Sequence, residues 1–327
     1  MADVLVMHKK NDLIPMVVTE EHIQKIKACV SGNVLWCANE QEALEKGYDA
    51  EVLFLWGGSG SMPEQFCKQS KKLKWIQSFS AGVNPIMDSS IGKLPVKLTN
   101  AKGIHGKTMA LTTIGYIINF IRYFPELQRR QEQHIWSKKF EHSPRETDGM
   151  TVGIVGAGAI GSEVARLCKA LNMTVLGVKR RVTPLENFDQ VYAECDMDQV
   201  LEKSDFVVIV MPLTDATYHM FDQEKFRRMK NSAVLINIGR GPIVKEEDLI
   251  YALQTKEIAG AALDAVEDEP LKPDSPLWDM ENVIITPHCA ADSERYMERA
   301  IQLFCENLKR YEAGEPLENE IDMKLRY

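Results

Sequence analysis

The chain has 327 residues, an apolar fraction of 45%, a net charge of −8 and seven cysteines without C-x-x-C spacing. That length predicts two domains with full cores, and an acidic balance spread along the chain argues against nucleic acid or an anionic membrane as the main partner. No run of about 18 apolar residues predicts a transmembrane helix, the opening Met1-Ala2-Asp3-Val4 lacks the basic flank of a secretory signal, and the scattered thiols read as the reduced cysteines of a cytoplasmic protein.

The first hundred residues alternate strand and helix. Val4 to Met7, Val34 to Cys37, Val52 to Leu55 and Trp75 to Phe79 are short apolar runs, and Ile23, Ile26 and Val30 follow the predicted N-cap Thr19 at helical spacing. This is the rhythm of a parallel sheet. A long helix is predicted over Lys107 to Arg122. Leu111, Ile114, Ile118 and Ile121 mark one face and Ile117 and Phe120 cover others, so it is expected to be buried, between two domains. Glu141 to Gly149 is polar, contains Pro144, and reads as a linker.

Met150 to Val155 is then a short strand that runs into Gly156-Ala157-Gly158-Ala159-Ile160-Gly161, and Ser162 to Leu171 continues as an amphipathic helix. G-x-G-x-x-G between strand and helix is a dinucleotide fingerprint. Gly156 permits the tight turn, Gly158 lets a pyrophosphate approach the backbone, and Gly161 lets helix and strand pack closely. The N–H groups at the helix start, from Ala159 and Ile160 onward, and the positive end of the helix dipole suit the phosphates.

The next strand, Met173 to Val178, ends in Lys179-Arg180-Arg181. An NAD binder places an acid there for the ribose 2′-hydroxyl. Here no carboxylate is available, and three cations occupy the place of a 2′-phosphate. The forked guanidinium suits that phosphate, Arg180 first and Arg181 second, with Lys179 in the acid's own slot. NADPH is therefore expected over NADH, with NAD use left possible.

Later strands are predicted over Phe206 to Met211, Ala233 to Ile238, Ala261 to Leu263 and Val283 to Ile285, with helices over Lys245 to Thr255 and Asp292 to Ala313. The last buries Met297, Ile301, Phe304, Leu308 and Tyr311 and stops at Gly314. Three segments follow strands, where an open α/β sheet places its ligands: Asn237-Ile238-Gly239-Arg240-Gly241, Leu263-Asp264-Ala265-Val266-Glu267-Asp268-Glu269-Pro270, and Thr286-Pro287-His288-Cys289-Ala290. The planar guanidinium of Arg240 suits a carboxylate, and His288 suits acid–base work.

With the glycine fingerprint in front, this order of motifs resembles the D-isomer-specific 2-hydroxyacid dehydrogenases, a family that includes glyoxylate/hydroxypyruvate reductases, D-lactate dehydrogenases and phosphoglycerate dehydrogenases. The resemblance is continuous from about Gly149 to Ala290 and weaker, but in register, across the first hundred residues. It implies an α/β fold of two doubly wound parallel-sheet domains with a cleft between them. Residues 1–102 and 290–327 would form a flavodoxin-like substrate domain, and residues 103–289 a Rossmann nucleotide-binding domain. It also implies a homodimer and a small 2-oxo or 2-hydroxy acid substrate, with no metal.

Residue by residue, the resemblance gives Arg240 the substrate carboxylate, His288 the proton, and Glu269 the orientation of the imidazole, with a raised pKa for His288. It places Asp264 near the nicotinamide, although a loop acid that merely caps a turn fits the same position. Pro212-Leu213-Thr214 resembles the loop that passes the nicotinamide ribose, and Thr217 and Ile238 count among the cofactor-binding positions. Ser78-Phe79-Ser80-Ala81-Gly82 resembles the substrate loop, with Ser80, Ala81 and Gly82 as the residues that meet the substrate carboxylate. Departures also show. The glutamate common in the long helix near Leu111 is missing, and Cys289 stands where a small residue is usual. His105 and Trp136 have either a substrate-side or a structural reading. Two alternatives remain: an NADH-preferring dehydrogenase of the same family, and a nucleotide-sensing, corepressor-like scaffold.

Overall fold

The computed structural model describes residues 2–8, 17–57, 62–140 and 143–322. The chain divides into two compact units, Met1–His105 with Asp292–Tyr327, and Gly106–Ala291. Contact therefore puts the divisions at 105/106 and 291/292, against 102/103 and 289/290 read from the sequence.

The first unit begins β1 (Val4–Met7), α1 (Glu20–Cys29), β2 (Val34–Cys37), α2 (Glu40–Glu45), β3 (Val52–Leu55), α3 (Glu64–Gln69), β4 (Trp75–Ser78), α4 (Asn84–Asp88), β5 (Lys97–Thr99). The second contains α5 (Gly106–Arg122), α6 (Phe124–Glu132), β6 (Thr151–Val155), α7 (Ala159–Ala170), β7 (Thr174–Val178), β8 (Gln190–Tyr192), α8 (Met197–Lys203), β9 (Phe206–Ile209), α9 (Gln223–Arg228), β10 (Val234–Asn237), α10 (Glu246–Gln254), β11 (Gly260–Leu263) and β12 (Val283–Ile285). The chain then returns to the first unit with α11 (Tyr296–Ala313).

The first sheet has five parallel strands in the order β2-β1-β3-β4-β5, the flavodoxin-like order. The inner strands β1 and β3 read as unbroken apolar runs because both faces are covered. Val4, Val6, Phe54 and Trp75 pack under α1 and α11, while Leu5, Leu53, Leu55 and Ile76 pack under α2 and α3. Thr19 caps α1 by accepting the His22 N–H, and the His22 ring returns a bond to the Thr19 N–H, a reciprocal arrangement worth about 1 kcal/mol. Phe304 of α11 stacks on Phe54 at 4.3 Å, and burial of such a ring is worth about 1.5–3 kcal/mol. That helix starts at Tyr296 rather than Asp292, and Gly314 ends it at φ 72°.

The second sheet has seven parallel strands in the order β12-β11-β10-β9-β6-β7-β8. The chain reverses direction across the sheet between β6 and β9, which is the switch point where such folds bind ligands. Val152, Ile154, Phe206 and Val208 face α5 and α7, while Val155, Val207, Ile209 and Leu235 face α8, α9 and α10. Of the predicted face of α5, Ile121 is buried and Ile114 and Ile118 pack against the core, while Leu111 is 63% exposed and is the one position corrected; Met109, Thr113, Tyr116 and Ile117 are buried as well. Packing against α7 selects the stripe with the small and hydroxyl-bearing residues and leaves part of the apolar surface outside. Glu141 and His142 of the predicted linker lie outside the described residues, and residues 143–150 contain no helix or strand.

Candidate functional site

β6 ends at Val155, and the turn to α7 needs its glycines for separate reasons. Gly156 sits at φ +112°, and a Cβ there would stand 2.7 Å from the Val210 carbonyl oxygen. A Cβ on Gly161 would stand 2.5 Å from the Gly156 oxygen, so this glycine allows helix to meet strand. Gly158 differs. It is exposed, and no atom of the chain lies within 4 Å of where its Cβ would be. Gly158 is also the N-cap of α7, and no side chain caps that end. Ala159 is exposed and Ile160 half-buried beside it. An uncapped helix start with clear space beside a glycine fits a diphosphate.

β7 ends at Val178, and Lys179 follows with its N–H bonded to the Tyr192 oxygen at 3.0 Å. Lys179 is half-buried, and Arg180 and Arg181 are exposed. No acidic side chain follows this strand before Glu186.

The ends of β10, β11 and β12 bring Arg240, Glu269 and His288 together. His288 Nδ1 lies 2.8 Å and 3.0 Å from the two Glu269 oxygens. The hydrogen bond to Glu269 raises the His288 pKa; burial opposes it, the Glu269 charge adds to it, and the Arg240 charge subtracts. Burial pushes Glu269 up, but its bond to His288 and the charges of His288 and Arg240 hold it below the ordinary range. An ionised Glu269 can only accept, so Nδ1 carries the proton and Nε2 is the atom that titrates. Burial lowers the pKa of Arg240, with Glu269 opposing. Its Nη1 donates to the Gly239 oxygen at 2.9 Å.

The glycines flanking Arg240 are dictated by packing. A Cβ on Gly241 would stand 1.7 Å from the Val266 oxygen, so only glycine lets this loop lie on the loop that carries Glu269. Asn237, fully buried, ties the same two loops. Its Nδ2 donates to the Arg240 and Ala265 oxygens at 3.2 Å, and its Oδ1 accepts the Gly239 N–H. Ile238 is buried beside it.

Asp264 is 3% exposed and holds the His288 turn. Its carboxylate accepts the Cys289 and Ala290 N–H groups and the Thr286 hydroxyl, and its backbone oxygen accepts the His288 N–H. His288 sits at φ 52°, in the left-handed region, and these bonds on both sides of it keep it there. Tyr116 of α5 reaches Thr286 at 2.5 Å, so α5 bonds to this turn through a phenol. Glu267 braces the Glu269 loop: it lies 2.5 Å from His219 Nε2 and accepts the Glu246 N–H at the start of α10. Sequence reasoning missed Asn237, Tyr116, His219 and Glu267 as site residues. Tyr116, His219 and Glu267 bond to partners far away in sequence, Asn237 joins its own loop to Ala265, and no local pattern marks any of them.

Thr217 is buried. It accepts the Thr214 N–H and donates to the Pro212 oxygen, closing the loop after β9 that leaves Pro212 exposed. Ser80, Ala81 and Gly82 lie in the first unit, at the end of β4, as does His105, which bonds to Tyr296. Trp136 follows α6 and is 98% exposed. Cys289 is half-buried, next to the imidazole-bearing residue. Among the described residues, no group of acidic, histidine or cysteine side chains could hold a metal, and no helix is long and apolar enough to cross a membrane.

Comparison with known proteins finds the following similarities. The sequence profile of "D-isomer specific 2-hydroxyacid dehydrogenase, NAD binding domain" matches residues 114–290. The glyoxylate/hydroxypyruvate reductase B of Escherichia coli is 36% identical over 244 residues, 73% of this chain and 75% of that protein. A solved D-isomer specific 2-hydroxyacid dehydrogenase family protein from Aeromonas salmonicida superposes with a TM-score of 0.86 at 32% identity, covering 98% of this chain and 99% of that one. The NADPH-dependent glyoxylate/hydroxypyruvate reductase of Sinorhizobium meliloti, solved with NADP and sulfate, has a TM-score of 0.82 at 27% identity, over 99% of this chain and all of that one.

Proposed function

The chain belongs to the D-isomer specific 2-hydroxyacid dehydrogenase family, and from that premise we propose that it uses NADPH to reduce a small 2-oxo acid to the D-2-hydroxy acid. The carrying observation is the His288–Glu269 pair with Arg240 beside it, at the strand ends of the nucleotide-binding unit. The dinucleotide, when bound, supplies the hydride.

The chain's own residues do the rest. Gly156, Gly158, Ala159, Ile160 and Gly161 form the turn that takes the diphosphate. Pro212, Thr217, Ile238 and Asp264 shape the nicotinamide side, Asp264 chiefly by holding the turn of His288. Arg240 binds the substrate carboxylate and polarises the carbonyl. His288 Nε2 gives the carbonyl oxygen its proton, and Glu269 keeps the imidazole charged and oriented. Ala81 and Gly82, on the loop that starts with Ser80, offer N–H groups to the substrate carboxylate.

Lys179, Arg180 and Arg181 support NADPH over NADH, since a carboxylate in their place would repel the 2′-phosphate. The Sinorhizobium reductase is named for glyoxylate and hydroxypyruvate, and substrates of that size are the first to test. We also infer a homodimer in the cytoplasm. Leu111, Phe124, Ile135 and Trp136 expose apolar surface on the second unit, which a second copy would cover. The seven cysteines are free thiols, as suits a reducing compartment.

The test follows reduced nicotinamide consumption with NADPH and NADH over a panel of 2-oxo acids from glyoxylate to phenylpyruvate. Higher kcat/KM with NADPH, and loss of turnover in His288→Ala by about 100-fold or more, is the expected result. Equal or better use of NADH would overturn the cofactor reading. Saturable cofactor binding without turnover would overturn the reductase reading.

A further inference from the structure

The substrate loop in the first unit is held by its carbonyl groups. The Ser80 oxygen accepts the Ala101 N–H, the Ala81 oxygen accepts Asn100 Nδ2 at 2.8 Å, and the Gly82 oxygen accepts the Ser80 hydroxyl at 2.7 Å. The remaining carbonyl, Phe79, is held from much farther along the chain. It accepts the hydroxyl of Tyr296 at 2.9 Å, and that hydroxyl lies 2.9 Å from His105 Nε2. Among the described residues, no acceptor is bonded to the N–H of Ala81 or Gly82.

The direction of this chain of bonds follows from proton count. A carbonyl oxygen can only accept, so the single proton of Tyr296 goes to Phe79. The Tyr296 oxygen must then accept from His105, whose Nε2 carries hydrogen. Both side chains are buried, at 5% for His105 and 2% for Tyr296. Burial pushes the phenol pKa up, so it remains a donor. The two rings also touch, with centroids 5.0 Å apart, and Trp56 packs against Tyr296 and Phe79.

We propose that His105 and Tyr296 are positioning residues for the substrate: through the Phe79 carbonyl they fix the loop whose Ala81 and Gly82 N–H groups receive the carboxylate of the 2-oxo acid. This rests on the assignment of that loop as the carboxylate site. The carboxylate takes no part in bond making, so its contacts are equal in ground state and transition state. Loss of such contacts raises KM and leaves kcat in place.

Tyr296→Phe keeps the ring and removes the hydroxyl. KM for the 2-oxo acid is expected to rise about 5- to 20-fold, with kcat within about twofold and KM for NADPH unchanged. The Kd of oxamate, a 2-oxo acid analogue that accepts no hydride, measured by calorimetry on the NADPH-loaded protein, is expected to rise in parallel. His105→Leu should behave alike, while His105→Gln, which keeps a side-chain N–H donor, should stay near the parent. Thermal melting verifies that each variant is folded, and the His105 pair carries the test if Tyr296→Phe is not. Unchanged KM and oxamate Kd in folded Tyr296→Phe and His105→Leu would overturn the proposal. So would a joint loss of kcat and NADPH affinity, which marks general loosening. Ala81→Pro deletes one receiving N–H. If it weakens oxamate while Tyr296→Phe does not, the loop assignment stands and this inference alone falls. If neither variant moves oxamate, both fall. The oxamate measurement needs no turnover, so failure of the reductase reading is seen separately.

Discussion

In the proposed reaction His288 has to be charged to give a proton and neutral to take one, so its surroundings would set the pH at which that reaction runs. The Glu269 bond is the largest influence on it and raises its pKa above the ordinary 6.5. Reductase activity should therefore persist below that raised value and fall as pH rises through it. The same pair contributes to stability below pH 6.5, and that contribution is lost as pH climbs through the folded value. Glu269→Gln removes the bond to a carboxylate and its charge, leaving burial and Arg240 to pull the imidazole down. The alkaline limb of kcat/KM should move toward or below pH 6.5, which a pH–rate profile of the variant reads directly. An unchanged limb would remove Glu269 from that role. Arg240→Lys keeps the charge but loses the fork. KM for the 2-oxo acid should rise, and kcat/KM should fall about 10- to 100-fold in steady-state assays.

At the scale of elements, much depends on one turn. Gly156 holds φ +112° with the Val210 carbonyl where a Cβ would go. Gly156→Ala should cost about 2 kcal/mol or more, from backbone strain and overpacking together, seen as a lower urea midpoint and weaker NADPH binding. This turn was legible in the sequence because G-x-G-x-x-G places three constraints within six residues. The inner strands were legible too, since four-residue apolar runs buried on both faces resemble little else. The edge strands β5 and β8 were not, because Lys97 and Gln190 put exposed polar residues into runs of only three. The six-residue helices α2, α3 and α9 are too short to show a period. On α5 only Leu111 was misplaced, since every side of that helix carries apolar residues and only the partner helix selects among them. Arg240, Glu269 and His288 could be picked out because each follows a strand in a motif. Asn237 and Tyr116 work by bonds that cross dozens of residues, and the sequence does not write such bonds down.

For the whole molecule, Trp136, 98% exposed on the second unit, is the side chain a lone chain would not be expected to keep in water. Trp136→Glu should shift the protein from dimer toward monomer in sedimentation velocity, while each unit's core is untouched. A parent chain that sediments as a monomer at micromolar concentration would remove the dimer reading.

The first unit also consists of two stretches of chain, 105 residues at the start and the segment from Asp292 onward, whereas the second is continuous. A ribosome makes them in that order. Val4, Phe54 and Trp75 emerge early, yet the ring that stacks on Phe54 and the residues that close this core, Met297, Ile301 and Leu308, come from α11. The nucleotide-binding unit can thus be finished while the earlier-made sheet still waits for its lid. A released chain truncated before Tyr296 should resist protease across Gly106–Ala291 and be cut in the first hundred residues. The interval between those two events is when the chain has most need of a chaperone.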